Sequence, residues 1–182
     1  MLDQKMDHKR EARMTDASYD FGPVSRVDAD AVGAPGHRTF RLVVIGGEGV
    51  ATLWLEKEEL QALGVAIDQM LARLSKRPEW KYFGSAPEPY EPSGEVDFSP
   101  SVEFKVGQLS LGFDTGKKMF VLLAHDAEDD PEGPATFTCY ATSSQLRSLS
   151  RRITTVVSAG RPRCTLCGDP IEPEGHVCVR LN

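Results

Sequence analysis

The chain has 182 residues, enough for one ordinary domain with a real core, and 40% apolar with 26% charged residues is a globular rather than a disordered balance. Acids outnumber bases 27 to 21, and the net charge of −6 argues against wholesale electrostatic binding to nucleic acid while leaving room for a local basic patch. No apolar run approaches the ~18 residues of a membrane span.

Residues 1–20, "MLDQKMDHKREARMTDASYD", carry charges and no apolar stretch, so they read as a disordered polar tail and not as a secretory signal. A cytoplasmic location follows as the expectation, and there thiols stay reduced. Residues 21–75 read as a first folded half. "SRVDADAV" and "RTFRLVV" are strands on either side of a turn, "GAPGH". "IGGEG" at Ile45 joins two strands of a hairpin, so it reads as a tight turn and not as a phosphate cradle. In "VATLWL", Ala51, Leu53 and Leu55 alternate with Val50, Thr52 and Trp54, the period of a third strand. From there the period changes. Leu60, Leu63, Ile67, Met70 and Leu71 mark one face of a helix.

Residues 76–101 hold five of the twelve prolines (Pro78, Pro87, Pro89, Pro92, Pro100), which fix φ and remove backbone donors. This stretch reads as an extended connector, held to the surface by aromatics such as Trp80 and Tyr90.

Residues 102–160 repeat the first pattern. "VEFKVGQLSLGF" and "KMFVLLA" are strands around the turn "DTGK", and "TFTCYA" is a third. Leu146, Leu149, Ile153, Val156 and Val157 then match the first helix at an offset of 86 residues. Thr142 or Ser143, with Gln145 behind, signals the helix start. The fold expected is α+β: two similar strand–strand–strand–helix halves packed as one antiparallel-sheet domain, followed by a short zinc-knuckle-like tail. The correspondence of the halves reads as an internal duplication. "DAEDDPE" at Asp126 reads as a solvated acidic loop, His37 and His125 as surface histidines, and Cys139 as a core thiol.

Residues 161–182 contain the one chemical constellation. Cys164 and Cys167 form a CxxC pair, and His176 and Cys178 stand at i and i+2. Zinc favours four thiolate or imidazole ligands in a tetrahedron. A CxxC turn brings two sulfurs together, and extended backbone puts His176 and Cys178 on one face. Gly168 offers the positive φ that such knuckles need, Pro170 and Pro173 stiffen the link, and Gly175 lets it turn. Two other readings remain: a redox or labile dithiol, and thiols without metal. With all four ligands from protein, the zinc would be structural rather than catalytic. Arg147, Arg151 and Arg152 on the second helix, with Arg161 and Arg163 beyond it, form a basic patch that could receive an acidic protein or a phosphate-bearing ligand.

The stretches "GAPGHRTFRL", "LEKEEL", "FKVGQLSLGFD" and "AGRPRCTLCGDPIEPEGHVC" occur in this order, and together they resemble an uncharacterised, mainly actinobacterial family that carries only a domain-of-unknown-function label. Its members end in a CPLCGxPxxPxGHxCPRxNG-like segment. The resemblance implies that Cys164, Cys167, His176 and Cys178 are the family's metal-ligand-like set. Arg38, Thr39, Glu56, Lys57, Gly107 and Asp114 fall on its other recurring positions. Thr165 and Val179 stand where the family has proline, which leaves the knuckle less stiff.

No GxSxG, HExxH or GxxxxGK[ST] motif is present. The leading reading is therefore a non-enzymatic cytosolic adaptor or regulator with a protein partner and a structural zinc. The alternative is an enzyme acting on a small or phosphorylated substrate between the halves, with Arg38, Glu56, Lys57 and Asp114 as candidate catalytic groups. A third is nucleic-acid binding through the basic tail.

Overall fold

The computed structural model describes residues 17–34, 36–47, 49–76, 100–160, 164–167, 171, 175–178 and 180. Most of the connector and of the N-terminal tail thus lies outside the described residues. Among the described residues, seven strands and two helices follow in chain order: β1 (Tyr19–Pro23), β2 (Arg26–Val32), β3 (Thr39–Gly46), β4 (Gly49–Leu55), α1 (Lys57–Ser75), β5 (Val102–Asp114), β6 (Met119–Asp126), β7 (Phe137–Ala141) and α2 (Ser143–Ser158). The fold is α+β, with one mixed sheet ordered β1-β7-β6-β5-β4-β3-β2.

Within each half the pairing is antiparallel: β2 to β3 to β4, and β5 to β6 to β7. Where the halves meet it is parallel. β4 pairs with the start of β5, Ala51 to Trp54 against Val102 to Lys105, and α1 lies in the crossover that such a parallel pair requires. β5 then leaves β4 and pairs with β6 from Val106 onward. The change of partner falls between Lys105 and Val106, and Gly107, just beyond it, is the extra residue of a bulge. A Cβ on Gly107 would stand 2.8 Å from the Cα of Ala127, so only glycine fits there.

β1 and β2 make the same change of partner. β1 runs parallel to β7, and only Val24 and Ser25 separate it from β2. The Val24 N–H donates to Tyr140 O and the next N–H, of Ser25, donates to Ile45 O, both at 2.9 Å. The two ends of the sheet order are therefore joined by two residues of chain. β1 begins at Tyr19, inside the stretch that its polarity assigned to the tail. Gly22 (φ 56°) and Pro23 disguise it, because neither is a strand residue.

The helices form as their sequences dictate. The Glu59 carboxylate accepts from the Glu56 N–H at 2.8 Å at the head of α1. At the head of α2, Thr142 Oγ1 accepts from the Gln145 N–H at 3.2 Å, and Gln145 Oε1 from the Thr142 N–H at 2.8 Å, a capping box. Leu60, Leu63 and Ile67 of α1 and Leu146, Leu149, Ile153 and Val156 of α2 enter one continuous core with Leu42, Leu53, Phe104, Leu122, Phe137 and Cys139. The two helices pack on each other. Gly64 makes room, since a Cβ there would lie 3.0 Å from Ile153 Cγ2. α2 also binds the first half: Arg152 Nε donates to Ala29 O at 3.0 Å and lies 3.7 Å from Asp28.

Candidate metal centre

Beyond α2 the four residues of the tail constellation come together. The ligand atoms of Cys164, Cys167, His176 and Cys178 all lie within 4.8 Å of one another. Cys164 Sγ is 3.7 Å from Cys178 Sγ, and Cys167 Sγ is 3.6 Å from His176 Nε2. A zinc tetrahedron with Zn–S near 2.3 Å and Zn–N near 2.0–2.1 Å has edges of about 3.8 Å for S···S and about 3.6 Å for S···N. Those two pairs thus stand at the separations that a tetrahedral ion sets. The donor set, three sulfurs and one imidazole, suits a borderline-soft divalent metal and gives hard oxygen-seeking ions nothing to bind.

The backbone prepares the site. The N–H groups of Cys167 and then Leu166 aim at Cys164 Sγ and draw its pKa from 9.0 down to about 7, so its thiolate is accessible near neutrality. Gly175 sits at φ 96°, a left-handed conformation that turns the chain into His176. Gly168, Pro170 and Pro173 lie outside the described residues. Cys178 is buried, whereas Leu166 and Val177, set between the ligands, are 46% and 83% exposed. Cys139 belongs to the core, where burial raises its thiol pKa to about 12.

The other singled-out residues have structural partners. Arg38 donates to Ala159 O at 2.7 Å and so closes the C-terminus of α2. Glu56 is the N-cap of α1 and pairs with Lys105 at 2.9 Å. Lys57 opens α1, with its Nζ beside Gly160. Asp114 Oδ1 accepts from the Gly116 and Lys117 N–H groups at 2.9 and 2.8 Å and shapes the β5–β6 turn. Arg38, Glu56 and Lys57 thus gather near one end of the helix pair. Asp114 lies nine residues along β5 from Lys105, roughly 30 Å at about 3.3 Å per residue. The four do not converge on one cleft. His37 is exposed in the β2–β3 turn, while His125 is half-buried and its Nδ1 finds no partner among the described residues.

The basic patch divides. Arg152 turns to β2, where Asp28, Asp30 and the Ala29 carbonyl hold it. Arg147 and Arg151 face a groove between α1 and α2 that Asp68 and Ser150 also line. Arg161 and Arg163 lie outside the described residues. Asp68 and Ser150 escaped notice in the sequence. The available signal was a serine, Ser150, on the apolar face of α2 where its counterpart in α1 is Gly64.

The sequence matches the profile of the family described as "Protein of unknown function (DUF3090)" over residues 19–178. The chain belongs to the DUF3090 family. The match begins at the first residue of β1 and ends on Cys178, so it takes in the whole sheet, both helices and the metal-ligand set. No curated protein and no solved structure matches the chain. Of the residues outside the tail that the resemblance singled out, Arg38 caps a helix C-terminus, Thr39 opens β3, Glu56 and Lys57 form a helix start, Gly107 is a strand bulge and Asp114 shapes a turn. No described helix is long and apolar enough to cross a membrane.

Proposed function

We propose that this DUF3090 protein is a non-catalytic adaptor or regulator of the cytosol, in which a structural zinc fixes the C-terminal tail as a docking element for a protein partner. The observation that carries this reading is the four-ligand cluster together with what surrounds it. Four protein ligands fill a tetrahedral zinc, leaving no coordination site for substrate. The same loops hold Leu166 and Val177 out to solvent. An apolar side chain held rigidly on a metal knuckle loses little entropy on binding, which favours its use as an anchor. Among the described residues, the buried cluster of the body and the hydrophobics packed on it contain none beyond Val157. A tail set apart from that cluster is free to serve as a docking element.

The test is affinity capture from native lysate with three forms of the chain: wild type, Cys164→Ser/Cys167→Ser, and Leu166→Ala/Val177→Ala. The expected result is a partner held by the wild type across several salt concentrations and lost from both variants, while the Leu166/Val177 variant still carries metal. Recovery of no stable partner, or equal recovery with all three, would refute the docking role.

A further inference from the structure

The open groove between α1 and α2 has a volume of about 400 Å3, within the range of small-ligand sites. We propose that it binds a small hydroxylated oxyanion, a sugar phosphate or a sugar acid.

On the α2 wall, Arg147 and Arg151 stand one helical turn apart, so their side chains share a face. Arg26, Arg38, Arg41 and Arg152 are each engaged by a carboxylate or a backbone carbonyl. The guanidinium groups of Arg147 and Arg151 have no ion pair or hydrogen bond among the described residues, and like charges at i and i+4 repel. An oxyanion between them would remove that repulsion and accept paired, charge-assisted hydrogen bonds from guanidinium groups.

The floor and the far wall supply a second element. Ser150 is 5% exposed, and its Oγ donates to Asp68 Oδ1 at 2.6 Å. That bond holds the Asp68 carboxylate in place and leaves Oδ2 without a partner among the described residues. Ala72, also on α1, is too small to fill the space. Two cations thus face one carboxylate in a chain whose net charge is −6. An inorganic anion would meet the arginines but also the negative charge of Asp68. A ligand that carries hydroxyls beside its anionic group would donate one to Asp68 Oδ2 and convert that repulsion into a hydrogen bond. This site is separate from the metal cluster and does not depend on the adaptor reading.

The test is a titration of the full-length, metal-loaded protein, followed by backbone amide NMR, with glucose 6-phosphate, gluconate, inorganic phosphate and glucose. Saturable shifts confined to groove residues of α1 and α2 are expected with glucose 6-phosphate, gluconate or both, and the tighter of the two names the anionic group. Inorganic phosphate should bind roughly tenfold or more weakly, the worth of one hydrogen bond to a charged group. Arg147→Ala/Arg151→Ala, both exposed, should weaken binding at least about tenfold. Asp68→Asn should abolish the preference over inorganic phosphate while retaining an acceptor for Ser150. Absence of saturable shifts with all four probes would overturn the proposal. So would unaltered binding by the double arginine variant, or inorganic phosphate bound as tightly as the hydroxylated anions.

Discussion

Arg38 shows what a motif residue does here. Its guanidinium reaches across the fold to the carbonyl of Ala159, the cap residue just past α2, where the helix dipole is negative and the backbone acceptor has no helical donor. Arg38→Ala should cost about 0.5–1 kcal/mol and loosen the last turn of α2. Thermal denaturation with amide exchange would measure it, and unchanged exchange at Val157 and Ser158 would refute the role. Asp30 gives a pH signature. Burial pushes its carboxyl up, but the hydrogen bonds from Arg41 and the Ala31 N–H, with the charges of Arg41 and Arg152, outweigh that and hold it below its ordinary 3.8. A depressed carboxylate stabilises the folded state above the unfolded pKa, and the contribution is lost as pH falls through the folded value. Asp30→Asn should therefore flatten the acid limb of the stability curve below about pH 4. The change will be small because both side chains of the Asp30–Arg41 pair remain partly exposed. Parallel acid limbs for wild type and variant would contradict the assignment.

At the scale of elements, the junction of α1 and α2 holds the two halves together. Gly64 lets the helices approach, and Ser150 ties α2 to Asp68 of α1. Gly64→Val should overpack against Ile153 and cost about 1–3 kcal/mol, read as a lowered denaturation midpoint with an unchanged denaturant slope. A midpoint equal to that of the wild type would show that the helices do not depend on this contact. Both helices were legible in the sequence because Leu60, Leu63, Ile67 and Leu146, Leu149, Ile153 keep helical spacing. β2 to β7 were legible from alternation and turn residues. β1 was not, since Gly22 and Pro23 occupy two of its five positions and its pairing with β7 spans more than a hundred residues. The parallel pairings were hidden for a related reason. Apolar alternation says which face of a strand is buried and nothing about which neighbour it takes. The groove was hidden too: its arginines were visible as a run of charge, but only the packed helices separate Arg152 from Arg147 and Arg151.

At the scale of the whole molecule, the described sheet and helices carry a tail in which four potential metal ligands cluster. The body has one core built from both halves, and none of the described tail residues belongs to the main apolar cluster. Chelation of the metal should therefore leave the exchange protection of β3, β4, β6 and β7 nearly intact while the amides of residues 164–167 and 175–178 lose protection. Global unfolding on chelation would mean that the body and the tail fold as one unit. The four residues of the cluster were legible because cysteine and histidine at CxxC and HxC spacing carry their chemistry in sequence alone. Their arrangement was not, since it depends on Gly175 and on the amides of Leu166 and Cys167.

The central claim is that Cys164, Cys167, His176 and Cys178 close on one zinc ion. X-ray absorption at the zinc edge of the purified protein, with metal counted per chain, tests it most directly. The prediction is one zinc per chain, bound by three sulfurs near ~2.3 Å and one nitrogen near ~2.0–2.1 Å, with the sulfur shell reduced in Cys164→Ser. A chain without stoichiometric metal, or a first shell of oxygen and nitrogen alone, would contradict it.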